Sequence, residues 1–165
     1  RKNEKHRDDG LHIFETENIL LSFIKEYLAQ KSGVTLSVFL HPKEKRPEII
    51  DKSKKRYSEI FGNVPFQISN NDINTAFAFE TIDVAVAAYS TIIYERLFCG
   101  FKTLLFAPEE LIDFPIKKSS LNNITAKSKD ALFSLLDKAL AETTNDFFVA
   151  NKLEEYKFFG LPPEK

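Results

Sequence analysis

The stretch from Asp83 to Ala107 constrains the fold more than any other part of this chain. Asp83–Ala88 is a short apolar run, Ser90–Phe98 places Ile92, Ile93, Leu97 and Phe98 at helical spacing before Gly100, and Lys102–Ala107 is apolar again, ended by Pro108. A buried strand, a helix and a second buried strand form the unit of a parallel sheet, because parallel neighbours need a crossover and helices cover the faces. The same rhythm runs upstream. Thr16 or Asn18 offers a cap for a helix carrying Ile19, Leu20, Phe23, Ile24, Tyr27 and Leu28, and Gly33 stops it. Val34–Leu40 is a strand ending at His41-Pro42, and Pro47 suits the first turn of a helix closed by Gly62-Asn63. Val64–Ser69 is a further strand, and Asn70-Asn71-Asp72 caps a brief helix through Ala76–Phe79. The expected fold is α/β: a Rossmann-like open parallel sheet of about four or more strands with helices on both faces.

Beyond Pro108 the rhythm changes. Residues 109–125 are irregular, with Pro115 and the run Lys117-Lys118-Ser119-Ser120. Residues 126–141 form an amphipathic helix with Ala131, Leu132, Leu135, Leu136 and Leu140 on one side, and residues 146–159 a last helix before the tail. The expected organisation is a lead-in or linker over 1–15, a Rossmann-like domain over 16–145, and a C-terminal helix and tail over 146–165. The pairs Phe147-Phe148 and Phe158-Phe159 are expected either to pack that helix back on the domain or to meet a part outside the sequence.

With 165 residues, 43% of them hydrophobic and 28% charged, the chain can bury a core of its own. A net charge of −1 provides no field to recruit nucleic acid, so none is expected as a partner. One cysteine, Cys99, excludes a disulfide framework and a cysteine-based zinc cluster. No apolar run approaches the ~20 residues of a membrane span. The sequence opens on Arg1 and contains no Met, which reads as a piece of a longer protein.

In open parallel sheets ligands sit beyond the carboxyl ends of the strands, and two such ends carry polar residues. Ser90-Thr91 follows a strand and opens a helix, so its hydroxyls stand beside backbone N–H groups at the positive end of the helix dipole. Two readings stand: a plain N-cap, or an anion site. Glu95 lies one turn further on the same face, where a carboxylate can accept from the vicinal hydroxyls of a ribose or pair with Arg96 at the surface. With Tyr94 it forms a narrow polar strip among apolar neighbours. At the other strand end Pro42 biases His41 to an extended conformation. The imidazole can donate to a phosphate, or to a leaving group when protonated, or be structural. Lys43, Lys45 and Arg46 make the adjoining loop cationic, with Glu44 and Glu48 interleaved, and Lys52, Lys54, Lys55 and Arg56 read as a solvated helix face. Lys117-Lys118-Ser119-Ser120 is either a phosphate-gripping loop or a flexible surface loop.

Glycine-rich dinucleotide and Walker-type loops, the Gly-x-Ser-x-Gly elbow and His-Glu-x-x-His are absent from the sequence. With only five glycines, phosphates are expected at a helix start rather than in a glycine nest. No acidic cluster with ligand spacing is visible, so no metal is expected.

Taken together, His41-Pro42 after one strand and Asp83-Val-Ala-Val-Ala-Ala-Tyr-Ser-Thr-Ile-Ile-Tyr-Glu95 followed by Gly100-Phe-Lys-Thr-Leu-Leu-Phe106 resemble the C-terminal, nucleotide-binding domain of GT-B-fold glycosyltransferases. The nearest flavour is that of bacterial sialyltransferases, polysialyltransferases and teichoic-acid polymerases, with their His-Pro and Ser-Ser/Thr motifs. The resemblance covers residues 34–108, under half of the chain. It implies a donor-nucleotide-binding domain of a bacterial surface-polysaccharide or lipopolysaccharide enzyme, with His41 as the catalytic residue. His41, Pro42, Lys43, Ser90 and Thr91 would hold the phosphate and Glu95 the ribose. It implies a nucleotide-activated sugar as donor (CMP-, CDP- or UDP-linked) and no other cofactor. An N-terminal acceptor-binding domain would complete the enzyme, and this domain alone would bind donor without turning over. The implied location is the cytoplasm, with peripheral association at the inner membrane face through the full-length protein. A sugar-nucleotide epimerase or glycerophosphotransferase domain of the same architecture, and a non-catalytic binding or assembly module that has kept the fold, are the alternative readings.

Overall fold

The computed structural model describes residues 2–69, 75–88, 90–109 and 116–157. The Asn70-Asn71-Asp72 cap, Tyr89, Pro115, Phe158-Phe159 and the tail lie outside the described residues. The chain is mixed α/β and divides into two compact units, Leu21–Ile82 on the one hand and Arg1–Leu20 with Asp83–Lys165 on the other.

The first helix, α1 (Lys2–Gln30), begins well before Thr16 and takes in the segment read as a lead-in. Lys, Glu and Arg are good helix formers, and their run offsets the cost of about 1 kcal/mol for an interior glycine at Gly10. Thr16, Leu20, Ile24 and Tyr27 are buried, a stripe at spacings of four and three. The helix ends at Gln30, and Gly33 follows with φ 79°, as its stop signal requires.

In the Leu21–Ile82 unit, β1 (Leu36–Val38) pairs in parallel with β2 (Phe66–Ile68), with Leu36 opposite Phe66 and Val38 opposite Ile68. Between them lies α2 (Ile50–Phe61), which starts three residues after Pro47 because residues 42–49 are spent in consecutive turns. Its buried face is Ser53, Tyr57 and Phe61, spaced by four. Phe61 is fully buried and meets the Phe66 ring at 5.0 Å; burying a side chain of this size contributes about 2–3 kcal/mol. Gly62 caps α2 at φ 58°, its N–H donating to Ser58 O, a conformation that a side chain would strain. A 3₁₀ turn, Thr75–Thr81, closes the unit.

In the other unit, β3 (Ala85–Ala87), β4 (Thr103–Phe106) and β5 (Thr125–Ala126) form a parallel sheet in the order β3-β4-β5. α3 (Ile92–Phe98) crosses from β3 to β4, and Gly100 leaves it at φ 86°. All four residues of β4 are buried, whereas β3, apolar on both faces as expected, is only half-buried. α4 (Lys118–Asn123) precedes β5. α5 (Lys129–Ala141) buries Leu132, Leu136 and Ala139 and is capped by Ser128 Oγ, which accepts from Ala131 N. α6 (Thr144–Ala150) is capped by Thr143, and a 3₁₀ turn over Glu154–Tyr156 follows.

Two expectations are corrected. The single sheet of four or more strands is instead a two-stranded and a three-stranded ladder among the described residues, since β1 pairs with β2 while β4 pairs with β3 and β5. The last helix stops at Ala150 instead of running to residue 159, since Asn151 turns out of helical geometry and Lys152 takes a positive φ of 57°. Phe147 and Phe148 are buried edge to face at 5.7 Å, so this segment does pack back on its unit.

Candidate functional site

Ser90 and Thr91 lie where the sequence puts them, between the carboxyl end of β3 and α3. Ser90 is half-buried and Thr91 exposed. Thr91 already has helical angles (φ −64°, ψ −26°) and makes no side-chain cap. Their carbonyls start the helix: Ser90 O accepts from Ile93 N at 3.3 Å, and Thr91 O from Tyr94 N at 3.0 Å and Glu95 N at 3.3 Å. No hydrogen bond engages either hydroxyl among the described residues. Thr91 thus holds the N-cap position without a side-chain capping bond.

Glu95 is exposed one turn along, and nothing among the described residues ties its carboxylate by hydrogen bond or ion pair. The surface pair with Arg96 does not form. Arg96 is buried, its Nε donating to Lys102 O at 3.3 Å and its Nη2 to Asp83 O at 3.5 Å, with the guanidinium 5.0 Å from the Phe101 ring. Burial pulls its pKa down to about 10, against the opposing pull of Asp83. Tyr94 is buried too, and burial holds its hydroxyl well above the usual phenol range. The polar strip expected of Tyr94 and Glu95 thus reduces to Glu95. Cys99, half-buried behind it, has its thiol pKa raised by burial and by the Glu95 charge.

Sequence reasoning missed what ties the opposite, amino-terminal end of this sheet. Lys102 is buried with its ammonium fully satisfied: Nζ donates to Ala139 O at 2.7 Å and Glu142 O at 2.9 Å and pairs with Asp83 Oδ1 at 2.7 Å. The cation meets the carbonyls at the end of α5, where the helix dipole is negative. The available signal was a lysine inside an otherwise apolar run, which must find acceptors to be buried.

His41, Pro42 and Lys43 share one turn in the Leu21–Ile82 unit, all three exposed. Glu44 N donates to His41 O at 2.8 Å, a β-turn with Pro42 in its second position, where the ring presets φ. His41 N donates to Glu44 Oε2 at 2.9 Å, and Lys43 N to His41 Nδ1 at 3.1 Å. Glu44 Oε1 in turn accepts from Tyr57 OH at 3.4 Å and lies 3.5 Å from Arg56 Nη1, so the turn is anchored to α2. Arg56, read as part of a solvated face, is instead an anchor, whereas Lys52, Lys54 and Lys55 are exposed as expected. The six candidate residues fall into two groups, His41, Pro42 and Lys43 in one unit and Ser90, Thr91 and Glu95 in the other.

The run Lys117-Lys118-Ser119-Ser120 is an N-cap and the first turn of α4 rather than a loop. Lys117 N donates to Tyr156 OH at 2.8 Å, Lys117 Nζ pairs with Glu155 at 2.8 Å, and Ser120 Oγ donates to Lys152 O at 2.8 Å. Three of its polar groups are spent fastening α4 to the segment after α6. Among the described residues no group of three or more His, Cys, Asp or Glu side chains could hold a metal ion, and no helix is long and apolar enough to cross a membrane. No protein-family model, curated protein or solved structure matches this chain.

Proposed function

We propose that this chain is the donor-nucleotide-binding domain of a bacterial glycosyltransferase of surface-polysaccharide or lipopolysaccharide biosynthesis, with the Rossmann-like architecture of one GT-B half. The observation that carries the reading is the β3–α3 loop. Two hydroxyls with no hydrogen bond among the described residues stand between the carboxyl end of a parallel strand and a helix, one turn before an exposed carboxylate that no described residue ties down. Hydroxyls donate to phosphate oxygens, and a carboxylate accepts from both hydroxyls of a ribose. The sequence motif around Ser90, Thr91 and Glu95 supports the same assignment, and within the Leu21–Ile82 unit the His41-Pro42 motif supports reading His41 as a phosphate contact.

The ligand is a nucleotide-activated sugar, CMP-, CDP- or UDP-linked. The acceptor-binding domain implied by the resemblance is the partner, and the place of action is the cytoplasm at the inner face of the membrane. Calorimetric titration of CMP, CDP and UDP tests the reading. Binding of at least one is expected, with the double variant Ser90→Ala, Thr91→Ala weakening it about tenfold or more, since hydrogen bonds to a charged group contribute roughly 1.5–3 kcal/mol each. No binding by any of the three at millimolar concentration would overturn it.

A further inference from the structure

We infer that Glu44 is the positioning residue of the His41 turn, and that the turn fixes the neutral imidazole with its proton on Nε2, leaving one outward N–H donor for a phosphate oxygen. The inference rests on the reading of His41 as a phosphate contact. A backbone N–H can only donate, so the Lys43 N–H at 3.1 Å requires a lone pair on Nδ1. A neutral imidazole that accepts at Nδ1 carries its hydrogen on Nε2. His41 is exposed and its Nε2 meets no partner among the described residues. The ring therefore offers a donor and no second acceptor. Phosphate oxygens only accept, so the opposite tautomer would present a lone pair to a lone pair.

Glu44 is what keeps the ring and the Lys43 amide in register. It clasps residue 41 from both sides, its Oε2 accepting the His41 N–H and its own N–H donating to His41 O. Its other oxygen reaches Arg56 and Tyr57 on α2. Both members of the Glu44–Arg56 pair are about three-quarters shielded from solvent, with 22% and 25% of their side chains exposed. Pro42 contributes no N–H that could compete for Nδ1. Glu44 touches no ligand in this account; it acts through His41.

The test uses the ¹⁵N-labelled chain and CMP as probe. A through-hydrogen-bond ¹⁵N–¹⁵N coupling between the Lys43 amide and His41 Nδ1, with the Nε2–H shift pattern, is expected of the neutral ring. Glu44→Ala should abolish the coupling and weaken CMP binding about five- to tenfold, the loss of roughly one hydrogen bond's worth of positioning. Glu44→Gln keeps an acceptor for the His41 N–H and should retain the coupling and most of the affinity. Arg56→Gln, which removes the cation beside Glu44 Oε1 and leaves the Tyr57 hydroxyl on it, should show a smaller change of the same sign, and it serves if Glu44→Ala does not fold. A neutral ring protonated on Nδ1, or Glu44→Ala and Arg56→Gln spectra and affinities equal to the wild type, would overturn the inference. Failure of CMP, CDP and UDP alike to bind the wild type while the coupling is present would overturn instead the nucleotide reading on which it rests.

Discussion

The two strand ends that carry the candidate residues are supported in opposite ways. In the Asp83–Lys165 part, β4 is flanked by β3 and β5 and every one of its side chains is buried. The neighbouring ammonium of Lys102 joins its start to the end of α5. Among the described residues, neither the Ser90 nor the Thr91 hydroxyl is spent on holding the loop's shape. In the Leu21–Ile82 unit, β1 and β2 have one buried residue between them, Val38. There the turn at His41 fixes itself, through the bonds of Glu44 and Lys43. A loop on a buried sheet can leave its polar groups for a ligand, whereas a loop on a shallow ladder must commit some of them to itself.

The largest effect that can break this comparison is in the sheets. Leu104→Ala, at a fully buried site in β4, should cost about 3 kcal/mol in urea unfolding. Leu36→Ala in half-buried β1 should cost about 1 kcal/mol. Equal losses would remove the distinction between the two supports. Next comes the ammonium. Lys102→Met strands the Ala139 and Glu142 carbonyls and should cost about 2 kcal/mol. Asp83→Asn should cost less than about 1 kcal/mol, because the Asp83 side chain is 59% exposed and water screens its share of the pair. A larger loss from Asp83 than from Lys102 would mean that the ion pair, not the helix-end carbonyls, holds the joint.

The smallest effect is kinetic and reports on Glu95. Burial and the Glu95 charge both raise the Cys99 thiol pKa. Removing the charge lowers that pKa and increases the thiolate fraction at any pH below it. Glu95→Gln should therefore speed alkylation of Cys99 by a few-fold at fixed pH, with burial still keeping the thiol slower than a free one. An unchanged rate would mean that the carboxylate is too far away or too well solvated to be felt.

Much of the rhythm was legible in the sequence because it rests on local signals. Gly33, Gly62 and Gly100 each mark a chain reversal after a helix, and each has the positive φ that favours glycine. The apolar runs placed β1 to β4. Not legible were features set by distant partners. β5 is two residues long and exists through its pairing with β4. The Lys117–Ser120 run has a loop's composition but becomes a cap and helix tied to Lys152, Glu155 and Tyr156. Arg96 and Lys102 look like surface charges until the carbonyls that receive them are known. At the candidate site, the positions of Ser90, Thr91 and Glu95 followed from one strand-to-helix junction. The role of Glu44 was hidden because an interleaved glutamate in a cationic loop has the pattern of solvation.

Backbone amide shift mapping with CMP tests the central claim most directly. The account predicts saturable shifts concentrated at residues 90–95, lost in the Ser90→Ala, Thr91→Ala variant while the β4 amides keep their wild-type positions. Shifts centred on other residues, or a variant that responds to CMP as the wild type does, would contradict it.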